Sequence, residues 1–281
     1  MKSALAVIAS VLALFLVSSV DGRNLPVKFE RDYDSGPKEV VIAYKRTMVE
    51  MMRFQEGKFS ISYSAVPHLR FADLPKNALP ELTVTIEGMY QSLEGVIYLN
   101  NFFKNCSVPP MPKQLEGLNG LMSFSYQDLA LEGRCKWSYI RVILAHELGH
   151  AYMDQLSHRI GNGNWPPLIE TDGVAGKRRH LGIRLISEGV AEYFWKTLGG
   201  VGDNFSDSEW DAMARDKNGT NYPYITRAGF HFVKPILDKF GERGLKYLII
   251  NCPVVEKSEL TQMPRIQLLM MLTLGAANAP E

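Results

Sequence analysis

The feature that most constrains this chain is the run H-E-L-G-H at residues 146–150. On an α-helix, residues four apart lie one turn apart on the same face, so the imidazoles of His146 and His150 can point at one metal ion. Glu147 then lies beside the ion, where its carboxylate can take a proton from a zinc-bound water. The run therefore predicts a helix that carries two zinc ligands and a general base.

The residues around this run indicate that the helix is buried. Apolar residues flank it on both sides: Ile140, Val142, Ile143, Leu144, Ala145, Ala151 and Tyr152. Two histidines and a glutamate are costly to bury unless they are paired or bound to a metal. The alternative is a pair of core histidines with ordinary hydrogen bonds, and Glu147 in a local ion pair. Gly149 favours the metal, because glycine in a helix costs up to about 1 kcal/mol and is tolerated where a backbone or a ligand comes close.

A catalytic zinc ion usually has three protein ligands and one position for water, so a third ligand is needed. A histidine six residues after His150 would be one source, but that position is Leu156. A glutamate from a later segment is the other source. Glu170 follows two prolines that prevent a rigid helix around it, whereas Glu188 lies in an apolar run with helical spacing. The sequence favours Glu188 and leaves Glu170 as the alternative.

Glu192 lies one turn after Glu188, and we expect its carboxylate to accept the second ring N–H of one of the two histidines. A competing interpretation is a ladder of ion pairs that faces solvent. Four charged residues follow one another at intervals of four: Arg184, Glu188, Glu192 and Lys196. Apolar residues enclose this stripe on both sides: Leu185, Ile186, Val190, Tyr193 and Phe194. A helix with so many apolar side chains has little surface for such a ladder, which favours a buried position.

Two runs together, H-E-L-G-H at residues 146–150 and S-E-G-V-A-E-Y at residues 187–193, resemble the gluzincin branch of the zincin metallopeptidases. The resemblance extends from residue 137 to residue 198. It implies an α+β, zincin-like fold in which a small twisted sheet packs on an active-site helix and a helical lobe forms the C-terminal part. It also implies a peptide or protein substrate, bound in extended form along an edge strand.

Matched position by position, the resemblance implies that three residues hold one zinc ion per chain: His146, His150 and Glu188. It implies that Glu147 is the general base. In such enzymes a tyrosine or histidine of the helical lobe often stabilises the oxyanion, and Tyr224 and His231 are the candidates here. Residues of both types also pack in protein cores, which is the alternative for each of them.

Two segments are candidates for the strand that binds the peptide, because an edge strand can pair with an extended chain. Residues 120–126, just before the active-site helix, are the first choice, and residues 95–99 are the second. The insert at residues 156–180 separates the two helices that carry the ligands. We expect this insert to restrict access to the cleft.

The first residues have the pattern of an export signal, because Lys2 precedes an apolar run that ends at Val17 and small residues follow. This run is shorter than the roughly 20 apolar residues of a membrane helix. We therefore expect a signal peptide at residues 1–22 and a secreted protein without membrane contact after cleavage, and the alternative is an uncleaved anchor. The net charge of +1 offers no basic surface for nucleic acid.

Export would allow covalent modification of the chain. Three cysteines, Cys106, Cys135 and Cys252, are compatible with one disulfide and one free thiol, but their spacing does not select the pair. Asparagines 105, 204 and 218 each begin a glycosylation sequon, so a eukaryotic source would make a glycoprotein.

The remaining chain, residues 23–281, is predicted to form a single domain with the sheet first and most helices after it. The sheet lobe extends to about residue 155 and the helical lobe covers residues from about 180 to 281. Strands are predicted at residues 59–66, 82–86, 95–99 and 121–126. Helices are predicted at residues 38–56, 137–155 and 180–198, and after residue 224.

Two other classes of function compete with a secreted zinc metallopeptidase. One is a secreted zinc-binding module that kept the fold, lost catalysis and recognises proteins. The other is a secreted structural domain without a metal. Metal content together with peptide turnover distinguishes all three.

Overall fold

The computed structural model describes residues 36–74, 88–106, 137–165, 180–199, 222–253 and 262–277. Within them the chain is a mixed α+β protein, as the sequence predicts. The first part contains helix α1 (Lys38–Phe59), strands β1 (His68–Ala72), β2 (Gly88–Gln91) and β3 (Val96–Asn100), and a 3₁₀ turn (Asn101–Asn105). The second part contains helices α2 (Trp137–Arg159), α3 (His180–Gly199), α4 (Tyr222–Ile250) and α5 (Met263–Ala276).

The described strands form one sheet in the order β1-β3-β2. β3 is central, parallel to β1 and antiparallel to β2. The second choice for a peptide-binding strand, residues 95–99, is therefore wrong, because β3 already pairs along both of its edges. The first choice, residues 120–126, lies outside the described residues. Among the described strands, β2 is the edge strand that packs against α2.

Two apolar clusters meet along α2. One cluster lies between α1, the sheet and the first half of α2, and its buried members include Met48, Ile97 and Leu144. The other contains the second half of α2 together with α3, α4 and α5, and its members include Leu156 and Phe194. Burial of each such side chain contributes about 1.5–3 kcal/mol. α2 is thus fixed between the sheet and the helices, at the junction where the sequence places it.

Glycines set the distance between α3 and its two neighbours. A Cβ added to Gly149 of α2 would lie 2.7 Å from Cα of Ala191, and one added to Gly189 would lie 2.3 Å from the carbonyl of Gly229 in α4. Real side chains do not tolerate such distances, so the backbones approach this closely only at glycine. Of the two expected reasons for a glycine at position 149, a close backbone or a close ligand, the structure shows the backbone of Ala191.

The predicted helices are confirmed, and each is slightly longer than its sequence pattern indicates. α1 ends at Phe59 rather than residue 56, with Ser60 in the left-handed conformation, and α2 continues to Arg159. α4 bends at Gly241, where the backbone leaves the helical region. Within the described ranges, none of the helices combines the length and the apolarity that a membrane span requires.

The predicted strand at residues 59–66 is wrong. Its first residue ends α1, and side chains rather than a neighbouring strand satisfy the backbone that follows. Gln155 accepts a hydrogen bond from the amide of Ser64 (2.7 Å) and donates one to the carbonyl of Ala65 (2.9 Å). Arg159 donates to the carbonyl of Ser62 (2.7 Å). The strands β1 and β2 were not predicted, and the predicted strands at residues 82–86 and 121–126 lie outside the described residues.

Candidate metal centre

The two histidines of α2 lie on one face of the helix, as their spacing predicts. Their Nε2 atoms are 3.2 Å apart, and His146 is buried while His150 is partly buried. The rings meet edge to face, with 4.9 Å between their centroids. Both rings point toward α3.

Glu188 of α3 completes the group. Its Oε2 atom lies 3.4 Å from Nε2 of His146 and 3.9 Å from Nε2 of His150. The three ligand atoms lie within 4.8 Å of one another, so the group could hold a metal ion. Ligands about 2.1 Å from a tetrahedral ion are about 3.4 Å apart, which is close to the observed separations. The structure therefore brings together the three residues that the sequence favours as ligands.

The alternative in which the charged stripe of α3 faces solvent is wrong. The side chains of Glu192 and Lys196 are buried, and that of Glu188 is only 17% exposed. Glu192 and Lys196 do form an ion pair of 3.5 Å, but they form it inside the protein. Tight packing of α3 between α2 and α4, at Gly149 and Gly189, leaves this stripe little open surface.

Oxygen atoms that could accept a hydrogen bond lie behind both histidine rings. Oε1 of Glu192 is 3.5 Å from Nδ1 of His146, and Oγ of Ser187 is 3.1 Å from Nδ1 of His150. A proton on each Nδ1 leaves both Nε2 atoms free to bind a metal, and such acceptors fix the ring orientation. Glu192 therefore occupies the predicted place. Ser187 was not predicted, because only its position directly before Glu188 distinguishes it in the sequence.

Lys196 balances part of the negative charge behind the site. Its ammonium lies beside Glu192 and 4.7 Å from the centroid of the Phe230 ring. A buried lysine requires such partners, because an isolated charge is costly to bury. The ion pair with Lys196 therefore offsets the charge of Glu192 behind the ligand group.

Glu147 is buried beside the ligand group, on the side of the sheet. The backbone amide of Tyr90 in β2 donates a hydrogen bond to its carboxylate. Burial raises the pKa of Glu147 to about 7, although the charge of His146 lowers it, and Glu188 adds to the increase. A carboxylate with a pKa near 7 is well matched to proton transfer at neutral pH.

The two histidines differ in their affinity for protons. Burial lowers the pKa of His150 to about 4. Burial also acts to lower the pKa of His146, but hydrogen bonds to Glu188 and Glu192 outweigh it and hold this pKa well above its usual value. In the absence of a metal, the proton of the group therefore resides on His146, and a metal ion has to displace it.

The remaining candidate site residues are Tyr224, His231 and Glu170. Tyr224 lies in the first turn of α4, and its side chain is outside the described part of the chain. The ring of His231 packs against Phe230, with 5.3 Å between centroids, and its carbonyl accepts a hydrogen bond from Gln267. His231 is about 200° around the helix from Gly229, which contacts α3. Both oxyanion roles remain predictions, and Glu170 lies outside the described residues.

Comparison of the chain with protein-family models gives no match, and neither do searches of curated proteins and of solved structures.

Proposed function

We propose that this protein is a secreted zinc metallopeptidase of the gluzincin type, with a zincin-like fold and one zinc ion per chain. The observation that carries the proposal is the single carboxylate oxygen of Glu188, which faces Nε2 of both His146 and His150. The glutamate comes from a different helix, as it does in the family that the two sequence runs resemble. Glu147 lies next to this group as the base.

Zinc is the metal that fits this donor set best. Two imidazole nitrogens and one carboxylate oxygen match a catalytic zinc site, in which a fourth position stays open for water or substrate. Sites for magnesium or calcium are built mainly from oxygen ligands, which disfavours both ions here. When bound, zinc lowers the pKa of a water and polarises a substrate carbonyl.

The roles of the protein groups in the reaction follow from the surroundings of Glu147. Its carboxylate takes a proton from the attacking water and passes that proton to the nitrogen of the departing amine. The Tyr90 amide orients the carboxylate, while Glu192 and Ser187 orient the two histidines. The substrate is a peptide or protein, and the access-restricting role of residues 156–180 stays part of the proposal.

The test is turnover of a mixed peptide library by the purified mature protein. We expect turnover that a chelator abolishes and added zinc restores. Glu147→Gln should keep zinc and lose turnover by about 10²–10⁴-fold, because it removes the base and leaves the ligands. Zinc binding without turnover by the wild-type protein would favour the inactive recognition module. A melting temperature that is unchanged by chelation would favour the structural domain.

The proposal includes one disulfide bond, because secreted proteins form disulfides in an oxidising compartment. Cys252 carries a free thiol, whose pKa burial raises to about 12. The remaining two cysteines, Cys106 and Cys135, are therefore the pair that we propose. Peptide mapping of the unreduced secreted protein should find these two joined, and a bridge to Cys252 would contradict the assignment.

A further inference from the structure

Strand β2 lies unusually close to the active-site helix. A Cβ added to Gly88 would lie 2.6 Å from Cγ2 of Ile143 and 3.1 Å from Oε1 of Glu147. Only glycine permits this approach, because any side chain would displace the strand or the side chains of Ile143 and Glu147. Gly88 thus brings the backbone of β2 within reach of Glu147.

Tyr90 contacts α2 at two places, about two turns apart along the helix. Its backbone amide donates to the carboxylate of Glu147, and its phenol donates to Oδ2 of Asp154 at 2.9 Å. Tyr90 also packs against the apolar cluster under the sheet. The position of its amide therefore depends on where Asp154 holds the ring.

Asp154 is itself fixed from a second direction. It is buried, and its Oδ1 atom accepts a hydrogen bond from the amide of Trp165 at 2.8 Å. His158 lies 3.7 Å from the same oxygen. Each carboxylate oxygen of Asp154 thus has its own donor, so this residue acts through Tyr90 and Trp165 rather than as a ligand.

We propose that Tyr90 and Asp154 form a clamp that positions the general base: Asp154 holds the Tyr90 phenol, and the Tyr90 amide holds the Glu147 carboxylate. Both are positioning residues, since neither contacts the ligand group. The clamp deepens the proposed function and rests on it for its role in turnover, but the contact itself can be tested in a protein without metal.

The contact is tested by hydrogen exchange of the Tyr90 amide, measured by NMR in the metal-free mature protein. Glu147→Ala removes the acceptor, and we expect exchange at least about tenfold faster than in Glu147→Gln, which keeps an acceptor oxygen. Asp154→Ala should also accelerate this exchange. Equal exchange in Glu147→Ala and Glu147→Gln would overturn the proposal.

The role in turnover is tested by kinetics together with zinc affinity. Tyr90→Phe and Asp154→Ala should lower kcat about tenfold, with KM and the zinc dissociation constant within about twofold of wild type, because they misplace the base and spare the ligands. Asp154→Asn should restore most of the loss, because its amide can donate to the phenol while its oxygen accepts from Trp165. Tyr152→Phe is the matched control. Tyr152 lies on α2, as Asp154 does, and the substitution removes a tyrosine–carboxylate hydrogen bond to Glu242 of α4.

Three outcomes would contradict the clamp. Parallel losses of zinc affinity and kcat would indicate a general structural effect, and an equal loss in Tyr152→Phe would indicate the same. Failure of Asp154→Asn to restore turnover would show that the charge of Asp154 is needed rather than its hydrogen bonds. If the wild-type protein binds zinc but turns over no peptide, the proposed function fails, whereas the hydrogen-exchange result still decides whether the contact exists.

Discussion

At the scale of single residues, metal binding by His146, His150 and Glu188 depends on which ring nitrogen of each histidine faces the metal position. Oxygen atoms of Glu192 and Ser187 lie 3.5 and 3.1 Å from Nδ1 of His146 and His150, and the Nε2 atoms of both rings face Glu188. The oxygen of Glu188 faces both rings, so it is the ligand that joins α2 to α3.

Removal of this carboxylate should release the metal. Glu188→Ala is expected to lower zinc content well below one ion per chain, because the loss of one of three ligands leaves only two histidines. Glu170→Ala is the matched control and should keep its zinc. Metal analysis of the two purified variants measures both. Loss of zinc in Glu170→Ala alone would assign the third ligand to the insert.

Burial of Glu147 should make the stability of the metal-free protein depend on pH. Its folded pKa of about 7 lies above the ordinary value, so its contribution to stability is full below pH 4.5 and is lost as pH rises through 7. Glutamine does not titrate, so Glu147→Gln should gain up to about 3 kcal/mol over wild type between pH 5 and pH 8. Urea unfolding with a chelator measures the gain. Parallel pH profiles for the two proteins would contradict this pKa.

Much of the site at this scale was predictable, because helical spacing alone fixes which side chains share a face. Helical spacing predicts His146, His150 and Glu147 on one helix, and Glu188 and Glu192 on another. It does not find Tyr90 or Ser187. Their roles arise from contacts between elements, which no local spacing encodes.

At the scale of elements, the position of α3 depends on close backbone contacts. Gly189 lies against Gly229 of α4, and Gly149 of α2 lies against Ala191. These contacts hold α3 deep enough for Glu188 to reach the two histidines.

A methyl group at this contact should therefore disturb the metal site. Gly189→Ala is expected to destabilise the protein by about 1–3 kcal/mol and to weaken zinc binding, because its Cβ would overlap the carbonyl of Gly229. Gly57→Ala is the control: Gly57 lies in α1 with nothing within 4 Å of an added Cβ, and alanine favours helix there. Denaturant unfolding and zinc titration measure both. Unchanged zinc affinity in a destabilised Gly189→Ala protein would show that the packing of α3 at Gly189 does not position Glu188, which contradicts the prediction.

The sequence predicts the helices of this chain better than its strands. Long apolar periodicity identifies α1, α2 and α3, whereas β1 and β2 are only five and four residues long. The segment after α1 has a β-prone composition, but its backbone pairs with the side chains of Gln155 and Arg159. Such pairing comes from a distant part of the chain, so local composition misleads.

At the scale of the whole molecule, α2 belongs to both apolar clusters and carries the site between them. The sheet contributes the Tyr90 amide, α2 contributes the histidines and the base, and α3 contributes the third ligand. A bound metal would therefore join α2 to α3. At a free zinc concentration a thousand times the dissociation constant, it would stabilise the folded state by about 4 kcal/mol.

The central claim is that His146, His150 and Glu188 bind one zinc ion. Crystals of the zinc-loaded mature protein, measured on both sides of the zinc absorption edge, test it most directly. We predict one anomalous peak about 2.0–2.2 Å from Nε2 of each histidine and from a carboxylate oxygen of Glu188. A peak bound by other residues, or no peak at this group in a zinc-saturated crystal, would contradict it.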